Sequence, residues 1–287
     1  MADVMSWIDA DGNETILSNQ PNYMVLPGTA GRFMPPVEFI EGEVPFQSGS
    51  YLRQVNIKSR DVDIPLRVTG ANDAEIWGIL RNLLRLFNPV RGNGRLRVTA
   101  PDGSQRELTC RYHSGLELSE TLENRMETFQ KFILVLRAFD PFWYDVATNV
   151  QTFTTGQPAT FFPFFPIRLS SSTVFADTSV NNTGDVPAWP EWIITGPGDT
   201  IFLRNLTTGE VLNLNTSLGA GETLTVDTKP GKKSVRKGDG TNLYYTLSDD
   251  SALWSLRQGV NNIRIEMSNA TDQSSVQLSY RNRYWGA

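Results

Sequence analysis

The residue types that usually carry catalysis are scarce in this sequence. It contains one histidine, His113, and one cysteine, Cys110. A single histidine cannot assemble a multi-histidine metal site, and a single cysteine excludes an intrachain disulfide or a cysteine-based zinc site. His113 lies where polar and apolar residues alternate, which favours a packing or surface role in a strand. We therefore expect no catalytic residue, no metal ligand and no bound cofactor.

Two further patterns that can signal chemistry have simple structural explanations. The carboxylate pairs Asp61/Asp63 and Asp249/Asp250 lie in turn-like or solvated strand positions, whereas a glycosidase needs two carboxylates facing each other across a cleft. The glycine pair around Asn93 lacks the Lys-Ser/Thr of a phosphate-binding loop and does not open a helix. It predicts a hairpin turn. The sequence therefore indicates a protein that is not an enzyme.

Binding is favoured over catalysis by three groups of side chains, each with a structural alternative. A basic run is expected on a hairpin tip, as an anion site or a solvated loop: Lys229, Lys232, Lys233, Arg236 and Lys237. An arginine-rich strand could face a subunit interface or a channel, or be a solvated edge protected by charge: Arg91, Arg95 and Arg97. An aromatic cluster could contact a partner or a sugar, or pack in a core: Phe161, Phe162, Phe164 and Phe165.

Composition bounds the class of protein. The 287 residues are enough for two ordinary domains, although one large β domain is also compatible with the length. A net charge of -5 lacks the basic excess of a nucleic-acid binder. The longest apolar run, residues 132–136, is too short to insert into a membrane, and residues 1–10 do not have the pattern of a signal peptide.

The first half of the chain reads as β-strands around one helix. Alternating residues predict two strands between positions 53 and 68, and further strands at 95–99, 107–118 and 128–138. Residues 119–126 are polar and are expected to form a loop. Asn72 and Glu75 predict a capping box at the start of the helix. Its apolar face is predicted to be Ile76, Leu80, Leu83, Leu84 and Phe87.

A short aromatic stretch in the middle is interpreted as a packed interdomain hinge. Pro141 disfavours helix for itself and for Asp140. Three aromatic residues follow, and they need burial between two bodies: Phe142, Trp143 and Tyr144. The alternative is a buried strand end inside a single domain. The hinge divides the chain into domain 1–145 and domain 146–287.

The second half has the spacing of a β-sandwich. Turn signals recur about every ten residues after position 190, between short strands such as 191–195, 262–267 and 275–280. No internal repeat or low-complexity tract interrupts this pattern. The expected fold is therefore mainly β throughout, with one helix in the first half.

The ordered motifs of the second half resemble the distal tail proteins of phages with long, non-contractile tails. The resemblance begins at Ala138-Phe139-Asp140-Pro141-Phe142-Trp143-Tyr144. It continues through Asn182-Thr183-Gly184-Asp185, Trp192-Ile193-Ile194-Thr195-Gly196-Pro197 and Asn205-Leu206-Thr207-Thr208-Gly209. It ends in Leu224-Thr225-Val226-Asp227-Thr228, Ser251-Ala252-Leu253-Trp254-Ser255-Leu256 and Tyr280-Arg281-Asn282-Arg283-Tyr284-Trp285. The first half agrees only in its layout.

The resemblance implies a structural virion protein, made in the cytoplasm of a bacterial host and located at the distal end of the tail. In that family the N-terminal domain forms a hexameric ring through which DNA passes, and the C-terminal domain is a galectin-like or carbohydrate-binding-module-like sandwich. The implied partners are the tail tube, the tape-measure protein, the tail hub or tail-associated protein, and in some members a receptor-binding protein.

Two alternatives remain at the level of sequence. The chain could be a carbohydrate-binding module that attaches to a host wall glycan, in which case exposed aromatics of the sandwich should line a groove. It could also be a glycan-cleaving enzyme, which would need two convergent carboxylates. The resemblance carries over no catalytic residue and no sugar site.

Overall fold

The protein is described by a computed structural model that covers residues 3–118, 120–121, 123–154 and 174–287. It divides into two compact units, one of Met1–Val146 with Tyr284–Ala287 and the other of Ala147–Arg283. The chain passes from the first unit to the second after Val146, one residue later than the boundary expected from the sequence. The last four residues, which the sequence assigned to the second domain, group with the first unit.

The first unit is built mainly from one antiparallel sheet. Its path runs in the order β2-β1-β7-β8-β10-β6-β3, and β9, β11 and the last strand of the chain, β21 (Arg283–Tyr284), attach to it at the side. The strands in chain order are β1 (Val4–Ile8), β2 (Glu14–Ile16), β3 (Tyr23–Val25), β4 (Val37–Glu43), β5 (Ser50–Ile57), β6 (Arg60–Thr69), β7 (Gly94–Thr99), β8 (Gln105–Ser114), β9 (Arg125–Met126), β10 (Phe129–Ala138) and β11 (Trp143–Asp145).

Strict alternation in β6 shows why this sheet has one dry face. Every second residue of the strand is fully buried, from Arg60 through Val62 and Ile64 to Val68. Strand β6 pairs with β10 along all ten residues, Ala138 lying opposite Arg60. Because side chains of a strand alternate between faces, this pairing places one continuous apolar row towards the core.

Helix α1 (Asp73–Leu86) covers the dry face. Asn72 caps it by accepting from the Glu75 amide at 3.0 Å. The Glu75 carboxylate accepts from the Ala71 amide at 2.7 Å, one residue before the N-cap, so the start of the helix is a variant of the predicted capping box. Ile79 is buried where the sequence predicted Leu84, and Leu84 is 52% exposed. Leu84 lies about 80° from Ile76 around the helix, at the margin of the apolar stripe, so that assignment is wrong.

The arginine-rich strand is internal to the sheet. Strand β7 lies between β1 and β8, so the explanation of its arginines as protection of a free edge is wrong. Residues 119–126, predicted to be a loop, include the two-residue strand β9 (positions 119 and 122 lie outside the described residues).

The second unit is a two-sheet sandwich. One sheet has the order β12-β20-β14-β17-β18 and the other β13-β19-β15-β16. The strands are β12 (Asn149–Thr154), β13 (Val174–Asn182), β14 (Glu191–Thr195), β15 (Gly198–Asn205), β16 (Glu210–Leu218), β17 (Thr223–Asp227), β18 (Ser234–Lys237), β19 (Gly259–Ser268) and β20 (Ser275–Tyr280).

A single apolar core joins the two sheets of this unit. Inward residues of both sheets form one buried cluster, with Trp192 and Ile194 from the first sheet and Leu203 and Ile265 from the second. The Trp192 and Trp254 rings meet edge to face with centroids 5.5 Å apart. The predictions of a mainly β chain and of a sandwich in its second half are confirmed. The galectin-like detail remains a prediction.

We expect Gly115 to be essential for the first sheet. It has a φ of +107°, and a Cβ there would overlap the backbone carbonyl oxygen of Ile133 on β10. Gly115→Ala should lower the free energy of unfolding by about 2–4 kcal/mol, through backbone strain and steric overlap. Urea denaturation measures this change. Gly103→Ala is the matched control, because Gly103 also has a positive φ but no atom within 4 Å of a Cβ. Equal losses in both variants would contradict the steric explanation.

Candidate functional site

The residues predicted to form the hinge lie at the end of the first unit. Trp143 is completely buried, and its indole Nε1 donates to the Arg32 carbonyl at 2.9 Å. The Tyr144 hydroxyl donates to Asp140 Oδ2 at 2.6 Å. Phe142 packs against the ring of Trp285 with centroids 5.2 Å apart. Their role as an interdomain hinge remains a prediction, because these contacts are all internal to the first unit.

The last four residues of the chain, Tyr284–Ala287, are held by the same region. The Tyr284 hydroxyl donates to Asp145 Oδ2 at 3.2 Å, and the Arg106 guanidinium lies 3.7 Å from the centre of the Tyr284 ring. Arg106 also donates to the Gly286 carbonyl, and Arg32 Nε donates to the Ala287 carbonyl at 3.1 Å. We call residues 284–287 with their partners the tail clasp.

Arg60 is the centre of the tail clasp. Its side chain is fully buried and lies at the inward end of the apolar row of β6. It donates to three successive carbonyls, Gly31 at 3.2 Å, Arg32 at 3.1 Å and Phe33 at 2.7 Å, and to the Trp285 carbonyl at 2.6 Å. Desolvation lowers the pKa of Arg60 to about 10, so the group stays charged at neutral pH. One guanidinium thus joins the loop before β4 to the end of the chain.

The close approach of backbone segments explains the glycine in the tail clasp. A Cβ at Gly286 would come within 2.8 Å of the Phe33 Cα. Only a residue without a side chain lets the tail lie flat against this loop. The clasp therefore consists of hydrogen bonds to backbone carbonyls, one side-chain hydrogen bond between Tyr284 and Asp145, and packed rings, which is a structural arrangement.

A second feature of the first unit is a projecting ribbon, made of β4 and β5. The two strands pair only with each other and are not joined to any of the three larger sheets of the described residues. Phe39 lies opposite Val55 in the ribbon, and these side chains are 59% and 46% exposed. The ribbon's exposed apolar residues are Val37, Phe39, Ile40, Tyr51, Leu52 and Val55. An isolated two-stranded hairpin is marginally stable in water, so this ribbon is suited to being covered by a partner.

The tip of the ribbon presents one aromatic side chain. Phe46 is completely exposed and has a φ of +67°. A bulky residue with positive φ is unfavourable by about 1–3 kcal/mol, and such strain is typical of contact sites. Val44, on the same turn, is 43% exposed. The tip is therefore an apolar knob at the end of an apolar ribbon.

The arginines of β7 form an ion network on the outer face of the sheet. Arg97 donates to Glu107 at 2.8 Å and to Glu14 at 2.8 Å, and Arg95 donates to Glu107 at 3.2 Å. The Glu107 side chain is almost completely buried beneath them. Arg91, from the 3-10 turn Pro89–Arg91, pairs with Asp11. Because each arginine has a carboxylate partner, the row is largely neutralised and gives little attraction for an anion.

The residues that could have carried chemistry have structural roles. Burial raises the pKa of the Cys110 thiol to about 12, so it is neither a nucleophile nor a metal ligand at neutral pH. Arg137 holds both oxygens of Asp61 at 2.7 and 2.6 Å and lowers the pKa of Asp61. Within the described part of the chain, no group of His, Cys, Asp and Glu side chains could hold a metal ion.

Other predicted features are accounted for separately. The cluster Phe161, Phe162, Phe164 and Phe165 lies outside the described residues. Lys229, Lys232 and Lys233 lie in the turn between β17 and β18, while Arg236 and Lys237 are on β18. No helix in the described ranges is long and apolar enough to cross a membrane.

Sequence reasoning did not find the tail clasp or the ribbon. The burial of Arg60 could have been predicted from the sequence. Arg60 is two residues before Val62 and so falls in the same inward-facing row as Val62, Ile64, Leu66 and Val68. An arginine at a core position must find buried acceptors. The acceptors themselves, carbonyls from residues 31–33 and 285, could not be named because carbonyls carry no sequence identity.

Replacing Arg60 should destabilise the first unit. Arg60→Met leaves four carbonyls without this donor in a buried site, so we expect a loss of at least about 3 kcal/mol in the free energy of unfolding. Thermal and urea unfolding measure it. Arg67→Met on the same strand is the control. Among the described residues, this half-buried side chain contributes a cation–π contact with Phe129, which is worth about 1–2 kcal/mol. Equal effects would contradict the central role of Arg60.

Comparison with known proteins identifies the second unit. Residues 183–284 match the model of the siphovirus-type tail component, C-terminal domain. A comparison with curated proteins finds no match. The family match covers most of the sandwich and the end of the chain, including the segment 280–284 in which the sequence resemblance ends.

Comparison with solved structures extends the likeness to the whole chain. The Dit protein of phage SPP1, described as a paradigm of the hub adsorption apparatus in phages that infect Gram-positive bacteria, matches with a TM-score of 0.69 and 14% identity, over 99% of each chain. A chain of the phage P2 baseplate in its activated conformation with Ca matches with a TM-score of 0.55 and 10% identity, over 98% of each chain. The same baseplate with Sr gives a TM-score of 0.54 and 10% identity, over 97% of this chain and 98% of that one.

At these identities the structural likeness establishes the fold, and the family match supplies the kind of protein. The resemblance read from the sequence is thereby confirmed, and both comparisons point to the distal end of a phage tail. Proteins of this kind are structural components of the virion and not enzymes. Residues 183–284 thus match the siphovirus-type tail component, C-terminal domain, and the whole chain shares the fold of the SPP1 Dit protein.

Proposed function

We propose that this chain is a hexameric ring-forming adaptor that joins the tail tube to the tail-tip hub and lets DNA pass. The observation that supports it is the projecting ribbon, an apolar element of the first unit with no covering partner among the described residues. Copies of one chain can cover each other's ribbons, and the number six is taken from the resemblance to distal tail proteins. The tail tube, tape-measure protein, hub and a receptor-binding protein are the proposed neighbours.

A closed ring needs two different surfaces on each copy, because each interface is head to tail. The ribbon is the first of them. The second is the flank of α1 beside its buried stripe, where Trp77 is 44% exposed and Leu84 is 52% exposed, one heptad apart on the same side. Arg125 lies 5.7 Å from the Trp77 ring centre and orients it. We call this surface the helix face.

DNA passage is supported by the charge of the chain. The net charge of -5 gives no general attraction for the phosphate backbone, and the arginines of β7 are paired with carboxylates. A ring built from such a chain would let a polyanion pass without binding it electrostatically. No specific nucleic-acid contact is part of the proposal.

The adhesion alternative has one observation in its favour. A groove in the second unit is lined by Trp189 and Tyr244, as a sugar-binding surface of the sandwich would require. Attachment to a host wall glycan is compatible with the adaptor role, because the ribbon and the helix face belong to the first unit.

Light scattering and negative-stain imaging of the purified full chain test the ring. We expect a species of six times the chain mass of 32.1 kDa, with six-fold symmetry in the images. A monomer at every concentration, both alone and with the tail tube protein added, would contradict the proposal.

Variants of the two surfaces should separate them. Phe39→Asp on the ribbon and Trp77→Asp on the helix face should each give monomers, since a charge is placed in an apolar contact. An equimolar mixture of the two should form heterodimers, because each variant retains the surface that the other has lost. Leu206→Asp is the control, as Leu206 is 52% exposed but lies in the second unit. Rings formed by either single variant, or a mixture that stays monomeric, would contradict the head-to-tail arrangement.

A further inference from the structure

The groove of the second unit that Trp189 and Tyr244 line has a volume of about 350 Å³. We call it the sandwich groove. Its volume is at the lower end of the range for small-molecule sites. Five segments of the second unit line it. Trp189 precedes β14, Glu210 begins β16 and Lys233 lies in the β17–β18 turn. Tyr244 begins the 3-10 turn Tyr244–Thr246, and Ser251 and Ser255 lie in the segment before β19.

The accessible side chains of the groove have the chemistry of sugar recognition. Tyr244 is 45% exposed and Trp189 is half-buried, so both rings offer surface to a ligand. The C–H faces of a sugar ring pack on such electron-rich surfaces. Glu210 and Lys233 are exposed and form no ion pair with a described residue, so an acceptor and a donor remain available for hydroxyl groups.

A basic surface continues from the groove through a shared residue. Lys233 also lines a shallow depression with Lys232, Ser234, Arg236 and Asp227. Lys237, the neighbouring cation, is excluded from this surface because Glu222 holds it at 2.7 Å. Three cations against one carboxylate in the depression give it an excess of positive charge. An anionic substituent of a ligand in the groove would meet that charge.

The groove is supported by rigid elements beneath it. Trp254 is buried, and its indole Nε1 donates to the Leu203 carbonyl at 3.3 Å. Ser251 Oγ accepts from the Asn213 amide at 2.9 Å and donates to the Asn213 carbonyl at 3.0 Å. The Tyr244 amide donates to Asn242 Oδ1 at 3.0 Å, which fixes the start of its turn. A pre-formed surface binds with less loss of conformational entropy.

We propose that the sandwich groove binds an acidic saccharide. One sugar ring stacks on Tyr244 and Trp189, Glu210 accepts from its hydroxyls, and its acidic group lies at Lys233 with Lys232 and Arg236 beside it. This inference rests on the adhesion alternative of the proposed function and names its ligand class. It does not depend on ring assembly, because all these residues belong to the second unit.

Isothermal titration calorimetry on the full chain tests the proposal with three probes. They are tetragalacturonate, a phosphorylated maltotetraose and neutral maltotetraose, so that a carboxylate and a phosphate source of the charge are compared. We expect at least one acidic probe to bind at least about tenfold more tightly than the neutral one, which is about 1.4 kcal/mol. No binding of either acidic probe, or equal binding of all three, would overturn the proposal.

Variants locate the binding in the groove. Tyr244→Ala and Lys233→Ala should each weaken binding of the acidic probe about tenfold or more. Tyr245→Ala is the matched aromatic control, since Tyr245 is 80% exposed and adjacent in sequence but does not line the groove. Lys58→Ala is the lysine control in the first unit. Light scattering on every variant checks its assembly. Unchanged affinity in the Tyr244→Ala/Lys233→Ala double variant would exclude the groove as the site.

Discussion

The first unit depends on one buried cation whose partners are all uncharged. Arg60 occupies a core position of β6 and donates to four backbone carbonyls from two distant parts of the chain. Burying a guanidinium is unfavourable unless its donors are satisfied, so these carbonyls must be in place for the core to close. The fan of donors in a guanidinium suits this task, and the single ammonium of lysine does not.

The hinge aromatics take their positions from this interaction. Arg60 fixes the loop 31–33, and Trp143 then donates to the carbonyl of Arg32 in that loop. The Trp285 carbonyl held by Arg60 brings the Trp285 ring against Phe142. The aromatic stretch that looks like a linker in the sequence is therefore anchored by hydrogen bonds, with ring packing added to them.

The sequence predicted those elements whose signals come from residues close together in the chain. Alternation located β6, β7, β10 and the strands of the sandwich, and the Asn72–Glu75 spacing located the start of α1, because these signals depend on neighbours in the chain. The ribbon and the tail clasp depend on contacts between residues far apart, such as Arg60 and Trp285. The solvent exposure of side chains could not be predicted from the sequence either. Phe39 and Val55 lie in alternating patterns like those of core strands, yet both side chains are exposed to solvent.

The return of residues 284–287 to the first unit makes the sandwich an insertion within the sequence of another folded body. During synthesis, the strands of the first unit leave the ribosome well before Trp285 does. At typical rates of translation the intervening stretch takes on the order of ten seconds. Throughout that interval Arg60 lacks one of its four acceptors, so the first unit reaches its final hydrogen bonding only after the second has been made. The order of synthesis therefore requires that the second unit be synthesised before the first unit can form all of its hydrogen bonds.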